Sequence, residues 1–438
     1  MHDLRTELAE FLRIPSVSTG GGDAAALRRA CDWVCERIEG AGGTAAAETV
    51  DGGHPMAVGE LRAASAGAPT VLAYGHYDVQ DPGPLEAWES PPFEPTERDG
   101  RLYARGAADD KGNFLPLLHV ACQLARAGDL PVNVRFLVEG EEEVGSASVL
   151  RRLRDEDPGA DCAIVFDSVM ADQRTPALTV AARGIVKAAV EVRTGERDLH
   201  SGLYGGAALN AAHVLLAMLA AVAPDAEGRV RPELAVGVQP PTEGERESWR
   251  RLPPGRKALA AVGARPVAPD AGTSFYDRTG AVPAVDVNMV ATGEARTIVP
   301  ARARGYVSLR LAPGQRAEAM GGELERLLRE AAPAAADVEV ELELADPALF
   351  DPGEPALRLA AAALERACGT PPVLLRLGGT LPLLAVLAER KIPTIVSGFV
   401  LGADAIHAPN ESFRLESLRL GERAAGELYR ALGGLNAG

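Results

Sequence analysis

Four short apolar runs, each leading into residue types that can hold a metal ion, constrain this chain more than any other feature. Residues 70–74 lead into Gly75-His76-Tyr77-Asp78-Val79-Gln80. Residues 132–138 lead into Glu139-Gly140-Glu141-Glu142-Glu143-Val144-Gly145-Ser146, and residues 162–166 end at Asp167. Residues 394–396 lead, a few positions on, to Gly402-Ala403-Asp404-Ala405-Ile406-His407. Helical patterns at 113–127 and 146–154 separate the first three runs. Apolar runs bounded by turn residues and separated by helices predict a doubly wound, mostly parallel sheet. In such a sheet the site lies outside the carboxyl ends of the strands, so these imidazoles and carboxylates are predicted to meet at one edge. A fifth segment, Arg105-Gly106-Ala107-Ala108-Asp109-Asp110-Lys111-Gly112-Asn113, is a Gly-rich turn before a helix and adds two carboxylates.

The rest of the chain divides by pattern. Helices are predicted at 4–12 and 24–40. After residue 350 the α/β style returns: a helix at 354–368, a strand at 373–375, a helix after Gly379, a strand at 394–397 and a last helix at 417–432. The middle reads differently. Residues 185–192 alternate like a half-exposed strand and 209–223 form an apolar helix. Strands at 285–290 and 305–311, an amphipathic helix at 317–331 and an alternating strand at 338–344 follow. Strand, helix, strand, strand, helix, strand is the ferredoxin-like order. A catalytic α/β domain over 1–181 and 349–438 is thus predicted, interrupted by a smaller α+β domain at 182–348. The Pro- and charge-rich insertion at 223–283 reads as loops and short elements.

Bulk properties exclude some partners. The net charge of -16 argues against nucleic acid or an anionic membrane surface, since both call for excess Lys and Arg. The N-terminal segment reads as an amphipathic helix rather than a signal peptide, and no apolar stretch is long enough for a membrane span. The five cysteines, Cys31, Cys35, Cys122, Cys162 and Cys368, form no Cys-x-x-Cys pair. They read as buried free thiols, which suits a reducing compartment. A soluble cytoplasmic protein is the expectation.

Imidazole and carboxylate donors suit zinc, and also manganese or cobalt. A carboxylate can bridge two ions roughly 3.5–4 Å apart, which together lower the pKa of a shared water and polarise a carbonyl. A carboxylate outside the metal shell is then needed to carry the proton to the leaving group. On residue types alone, Glu141, Glu142 and Glu143 are equal candidates for that task. A metal-bound His also wants its second ring nitrogen held by an acceptor, and Asp78 is well placed beside His76. His2, His54, His119 and His213 read as structural, because none lies at a strand end with acidic neighbours.

The three segments around His76, Asp109 and Glu143, in that order, resemble the dinuclear zinc exopeptidase family. That family includes carnosine-type dipeptidases, acetylornithine deacetylase, succinyl-diaminopimelate desuccinylase and carboxypeptidase G. The resemblance is greatest to the dipeptidase branch. It implies that His76, Asp109 and Asp167 hold one metal and that Asp109, Glu143 and His407 hold the other. Asp109 is then the bridge, Asp78 orients His76, and Glu142 is the general base. It also implies a cis Asp109–Asp110 peptide and an inserted lid and dimerisation domain.

Asp198-Leu199-His200-Ser201-Gly202-Leu203-Tyr204-Gly205-Gly206 is similar to the family segment whose His completes the partner subunit's site and stabilises the oxyanion. Thr297 and Arg310 fall in segments resembling those that bind the substrate's carboxylate end, a task suited to the guanidinium fork. Leu377-Gly378-Gly379-Thr380 resembles a turn that contacts substrate backbone, with Thr380 where relatives often carry Ser. The implied protein is a homodimeric, two-metal amidohydrolase acting on dipeptides or similar small substrates with a free carboxylate. An N-acyl-amino-acid deacylase is the alternative within the class. An inactive binding protein on the same fold is the alternative outside it, and it should have lost a ligand or the base.

Overall fold

Residues 3–155 and 158–435 are described by the computed structural model; His2 lies outside them. The chain forms two compact units. One comprises the described residues up to Val180, Phe350–Leu375 and those from Val386 on; the other is Ala181–Leu349 with Arg376–Ala385.

In the first unit the apolar runs become neighbouring strands. Asn133–Glu139, Thr70–His76, Cys162–Phe166 and Thr394–Ser397 lie side by side in that order and run parallel. Cys162–Phe166 and Thr394–Ser397 are buried at every residue, and the other two nearly so. A strand covered on both faces has no polar side to display, which is why these sequences run apolar without alternation. The sheet as a whole is mixed. Thr44–Glu48 and Met56–Leu61 extend one side of it antiparallel, and Ala177–Ala182 joins antiparallel to Thr394–Ser397 on the other. The sequence pattern gave no strand at these flanks, because short Ala-rich runs such as Thr44-Ala45-Ala46-Ala47-Glu48 carry little β signal.

The helix Lys111–Ala127 packs on the Thr70–His76 strand and is buried through its first twelve residues. A Cβ on Gly75 would lie 2.3 Å from the ring of Phe114. Only glycine lets strand and helix approach this closely, so Gly75 sets the depth at which the next residue, His76, sits.

The second unit carries a separate antiparallel sheet in the order Ala284–Thr292, Arg302–Leu311, Gly184–Arg193, Asp337–Ala345. Gly184–Arg193 and Arg302–Leu311 alternate buried residues with half-buried or exposed ones, as a sheet with one covered face requires. Helices Ala211–Val222 and Ala317–Glu330 supply the cover through Leu215, Met218, Leu324 and Leu328, packed with Val186, Val190, Val307 and Leu309. Asn210 caps the first helix by accepting from the amides of Ala212 and His213. The order of elements is the ferredoxin-like one. The insertion after Ala211–Val222 contains the short helices Pro232–Ala235, Glu243–Trp249, Gly255–Ala261 and Phe275–Gly280.

The cysteines are free, and all but Cys368 are buried. Among the described residues no helix is long and apolar enough to cross a membrane.

Candidate metal centre

The strand ends deliver the residues read from sequence. His76 is the last residue of its strand and is fully buried. Asp167 follows directly on Cys162–Phe166. Glu143 lies in the one-turn helix Glu142–Val144, just past the Asn133–Glu139 strand. Asp109 stands at the end of the Gly-rich turn, and its peptide bond to Asp110 is cis, as the resemblance implies. His407 sits in the loop beyond Thr394–Ser397 with φ +61°, and Ala405 and Asn410 in that loop also have positive φ. Three non-glycine residues in the left-handed region within six positions mark a loop held against its local preference, a pattern typical of functional sites.

Ligand atoms of His76, Asp109 and Asp167 lie within 4.8 Å of one another, and so do those of Asp109, Glu143 and His407. The two triads share Asp109 and divide its oxygens. Oδ1 is 3.1 Å from Nε2 of His76, and Oδ2 is 2.9 Å from Nε2 of His407. Nε2 of His407 is also 3.2 Å from Glu143 Oε2, which accepts a hydrogen bond of 2.7 Å from Gln80. Among the described residues Glu143 Oε1 is buried without a hydrogen-bond partner. A buried, orphaned carboxylate oxygen beside imidazole and carboxylate donors is what a divalent cation would satisfy, so the residues fit a metal pair.

Electrostatics agrees. Burial raises the Asp167 carboxyl well above its usual range; His76 opposes this, and nearby Asp109, Glu142 and Glu143 add to it. Burial opposes a charge on His76, but hydrogen bonds to Asp109 and Asp78 outweigh it and raise its pKa. Hydrogen bonds to Asp109 and Glu143 lift His407 to about 10. Burial also works against the ionised Asp109, yet the two imidazoles hold its pKa below the usual range. So many carboxylates in one buried cluster call for positive charge to balance them.

Asp78 is fully buried, and its contacts extend the sequence reading. The nearest acceptor to His76 Nδ1 is the Asp78 carbonyl oxygen at 3.0 Å, with the carboxylate Oδ1 at 3.4 Å. That carboxylate accepts from the amides of Glu142 and Glu143 and from the Ser18 hydroxyl. Asp78 therefore joins the His76 strand end to the Glu142–Val144 turn.

The structure also separates three glutamates that the sequence left equivalent. Glu141 accepts from the amides of His54 and Ser148 and is a structural clasp. Glu143 belongs to the second triad. Among the described residues the carboxylate of Glu142 has no hydrogen-bond partner, and burial raises its pKa.

Glu411 escaped the sequence reading. It is fully buried and accepts from the amides of Gly106, Ala108 and Asp109, while pairing with Arg105 at 2.7 Å. One carboxylate thus fastens the turn that carries Asp109 to the loop that carries His407. The only trace in the sequence is a Glu four residues beyond His407, which looks like any solvated loop residue.

The remaining predicted residues lie in the second unit as two pairs. His200 and Thr297 are neighbours, because Leu199–His200 pairs with Ile298–Val299 and Ser201 N donates to the Thr297 carbonyl. His200 is exposed, and its Nδ1 accepts from Gly202 N at 3.0 Å. With Nδ1 accepting, Nε2 is the ring nitrogen placed to donate. Arg310 donates to the Thr380 hydroxyl at 3.1 Å, which donates to the Arg183 carbonyl at 2.8 Å. Of the other histidines, His119 is buried against Glu7 and Gln123, and His54 and His213 take no part in either triad.

Comparison with known proteins places this geometry. The profile of Peptidase family M20/M25/M40 matches residues 72–431. Cysteinylglycine-S-conjugate dipeptidase from Corynebacterium striatum is 32% identical over 336 residues, covering 74% of this chain and 71% of that protein. Human Beta-Ala-His dipeptidase is 29% identical over 359 residues, covering 78% and 70%. The M20 family metallo-carboxypeptidase of Sulfolobus solfataricus superposes with a TM-score of 0.83 over 99% of this chain and 100% of its own, at 24% identity, a likeness of fold.

Proposed function

The chain belongs to peptidase family M20/M25/M40, and from that membership we propose that it hydrolyses the amide bond of dipeptides or similar small substrates bearing a free carboxylate. One observation carries the reading: two His-carboxylate triads share Asp109, with Glu142 beside them and its carboxylate uncommitted. His76, Asp109 and Asp167 would hold one divalent ion, and Asp109, Glu143 and His407 the other. Zinc suits this donor set best, with manganese or cobalt as substitutes. Such a pair, when bound, polarises the scissile carbonyl and makes water more acidic.

The chain's own residues do the rest. Glu142 takes a proton from the attacking water and delivers it to the departing amine nitrogen. Asp78 keeps Glu142 and Glu143 in place through their amides. Arg310, steadied by Thr380, pairs with the substrate's carboxylate, and Thr297 contacts the same end. The dead-scaffold alternative requires a missing ligand or base, and none is missing.

His200 supplies a donor to the oxyanion from its Nε2–H. In this reading it acts on the partner's site, and the protein works as a homodimer through the second unit. Heterodimers of a His200→Ala chain and a Glu142→Gln chain are expected to recover partial activity, because one site then retains both groups. Mixed chains as inactive as the single variants would confine His200 to its own subunit.

The test of substrate class is a screen of the metal-reconstituted protein over dipeptides, their C-terminal amides and N-acyl amino acids. Dipeptides with a free carboxylate should be turned over best. Arg310→Ala should raise their KM roughly ten- to a hundredfold and erase the preference for acid over amide. Faster turnover of N-acyl amino acids would assign the chain as a deacylase instead.

A further inference from the structure

We infer that the insertion between Ala223 and Pro283 is a buttress that sets the substrate-carboxylate subsite by fixing the Gly378-Gly379-Thr380 turn from behind. The inference rests on the reading of Arg310 and Thr380 given above.

Its anchor is Arg376, the residue before Leu377 and the turn. Arg376 and Glu245 are each 2% exposed at the side chain, and the guanidinium meets both oxygens of Glu245 at 2.6 and 3.2 Å. It also donates to the carbonyls of Gln239 and Pro240. Three backbone or side-chain groups of the insertion therefore close on one buried cation. Glu245 is itself fixed by a capping box with Thr242 at the start of the Glu243–Trp249 helix. A buried pair this well satisfied confers geometry more than stability.

A second contact is independent of charge. The helix Phe275–Gly280 ends against the same backbone. A Cβ on Gly280 would lie 2.5 Å from the Arg376 carbonyl oxygen, and one on Gly378 would lie 2.7 Å from the Thr279 carbonyl oxygen. Two glycines allow two stretches of main chain to touch.

From there the linkage runs to the subsite. Arg183 N donates to the Leu377 carbonyl, and its guanidinium donates to the carbonyls of Gly378 and Arg278. The Arg183 carbonyl accepts from the Thr380 hydroxyl, and that hydroxyl receives Arg310. The insertion thus reaches Arg310 through an unbroken series of hydrogen bonds. Its residues act as positioning residues: they hold the fork of Arg310 where a carboxylate can take both of its N–H bonds.

The experiment compares Glu245→Gln, Gly280→Ala and Arg310→Ala by steady-state kinetics on one dipeptide and its C-terminal amide. Circular dichroism and a thermal melt check each variant's fold. Glu245→Gln keeps the side chain's shape and removes its charge. Gly280→Ala removes no charge and presses on the Arg376 carbonyl and Cβ, displacing the turn by a steric route, so it carries the test alone if Glu245→Gln does not fold. Both should raise KM for the acid about tenfold, keep kcat within about twofold, and lower the acid-over-amide preference toward that of Arg310→Ala. If Arg310→Ala loses the preference while both insertion variants keep it with unchanged KM, the buttress is overturned. A parallel fall in kcat for acid and amide, with KM unchanged, also overturns it, because that marks a general structural effect. If Arg310→Ala itself keeps the preference, the carboxylate reading fails first and takes this inference with it.

Discussion

Glu142→Gln is expected to lower kcat by roughly 10²–10⁴-fold and to bind two equivalents of metal as the unaltered protein does. Gln has the shape of Glu and keeps the backbone amide that Asp78 receives, so the turn and Glu143 beside it stay in place. What it lacks is a basic oxygen for the proton. Glu141 cannot substitute, because its carboxylate is occupied by the amides of His54 and Ser148. Glu143 cannot either: its Oε2 is engaged with His407 and Gln80, and its buried Oε1 is the oxygen a cation would take up. Turnover together with metal content by elemental analysis decides the matter. Near-normal turnover at full metal content would move the proton transfer to another group. Lost turnover with lost metal would instead make Glu142 a ligand.

Removing the metals should abolish activity altogether, and adding zinc, manganese or cobalt to the stripped protein should restore it. Both triads would draw on Asp109, so loss of the cation from one would also disturb the donor set of the other. Dialysis against a chelator, followed by metal add-back with activity and bound metal measured together, tests this. Full activity in protein freed of metal would overturn the two-metal reading.

What the sequence disclosed follows burial combined with residue type. The four parallel strands were legible because strands buried on both faces run apolar without a break, and their ends pointed to the metal centre. The strands Thr44–Glu48, Met56–Leu61 and Ala177–Ala182 were not, although the last is buried throughout, because short runs rich in Ala and Gly carry little β signal. The second unit's alternating strands were legible because one face is covered and the other is not. At the site, all five candidate ligands stood out by residue type and position. The distinct fates of Glu141, Glu142 and Glu143 did not, since groups brought in by folding decide them: the His54 amide for Glu141, and Gln80 and His407 for Glu143. Glu411 and the Glu245–Arg376 pair escaped for the same reason. A carboxylate's burial is settled by folding partners more than a hundred residues away, and nothing local announces it.

Glu411 has a consequence for the chain as it is synthesised. His76, Asp109 and Asp167 all precede the second unit, whereas His407 and Glu411 follow it. A growing chain therefore carries the complete first triad while the ribosome is still translating the second unit, an interval on the order of tens of seconds. During it the turn bearing Asp109 has no carboxylate to receive its amides. The second triad becomes possible only when the last ligand emerges, and four residues later the clasp that steadies the shared one arrives.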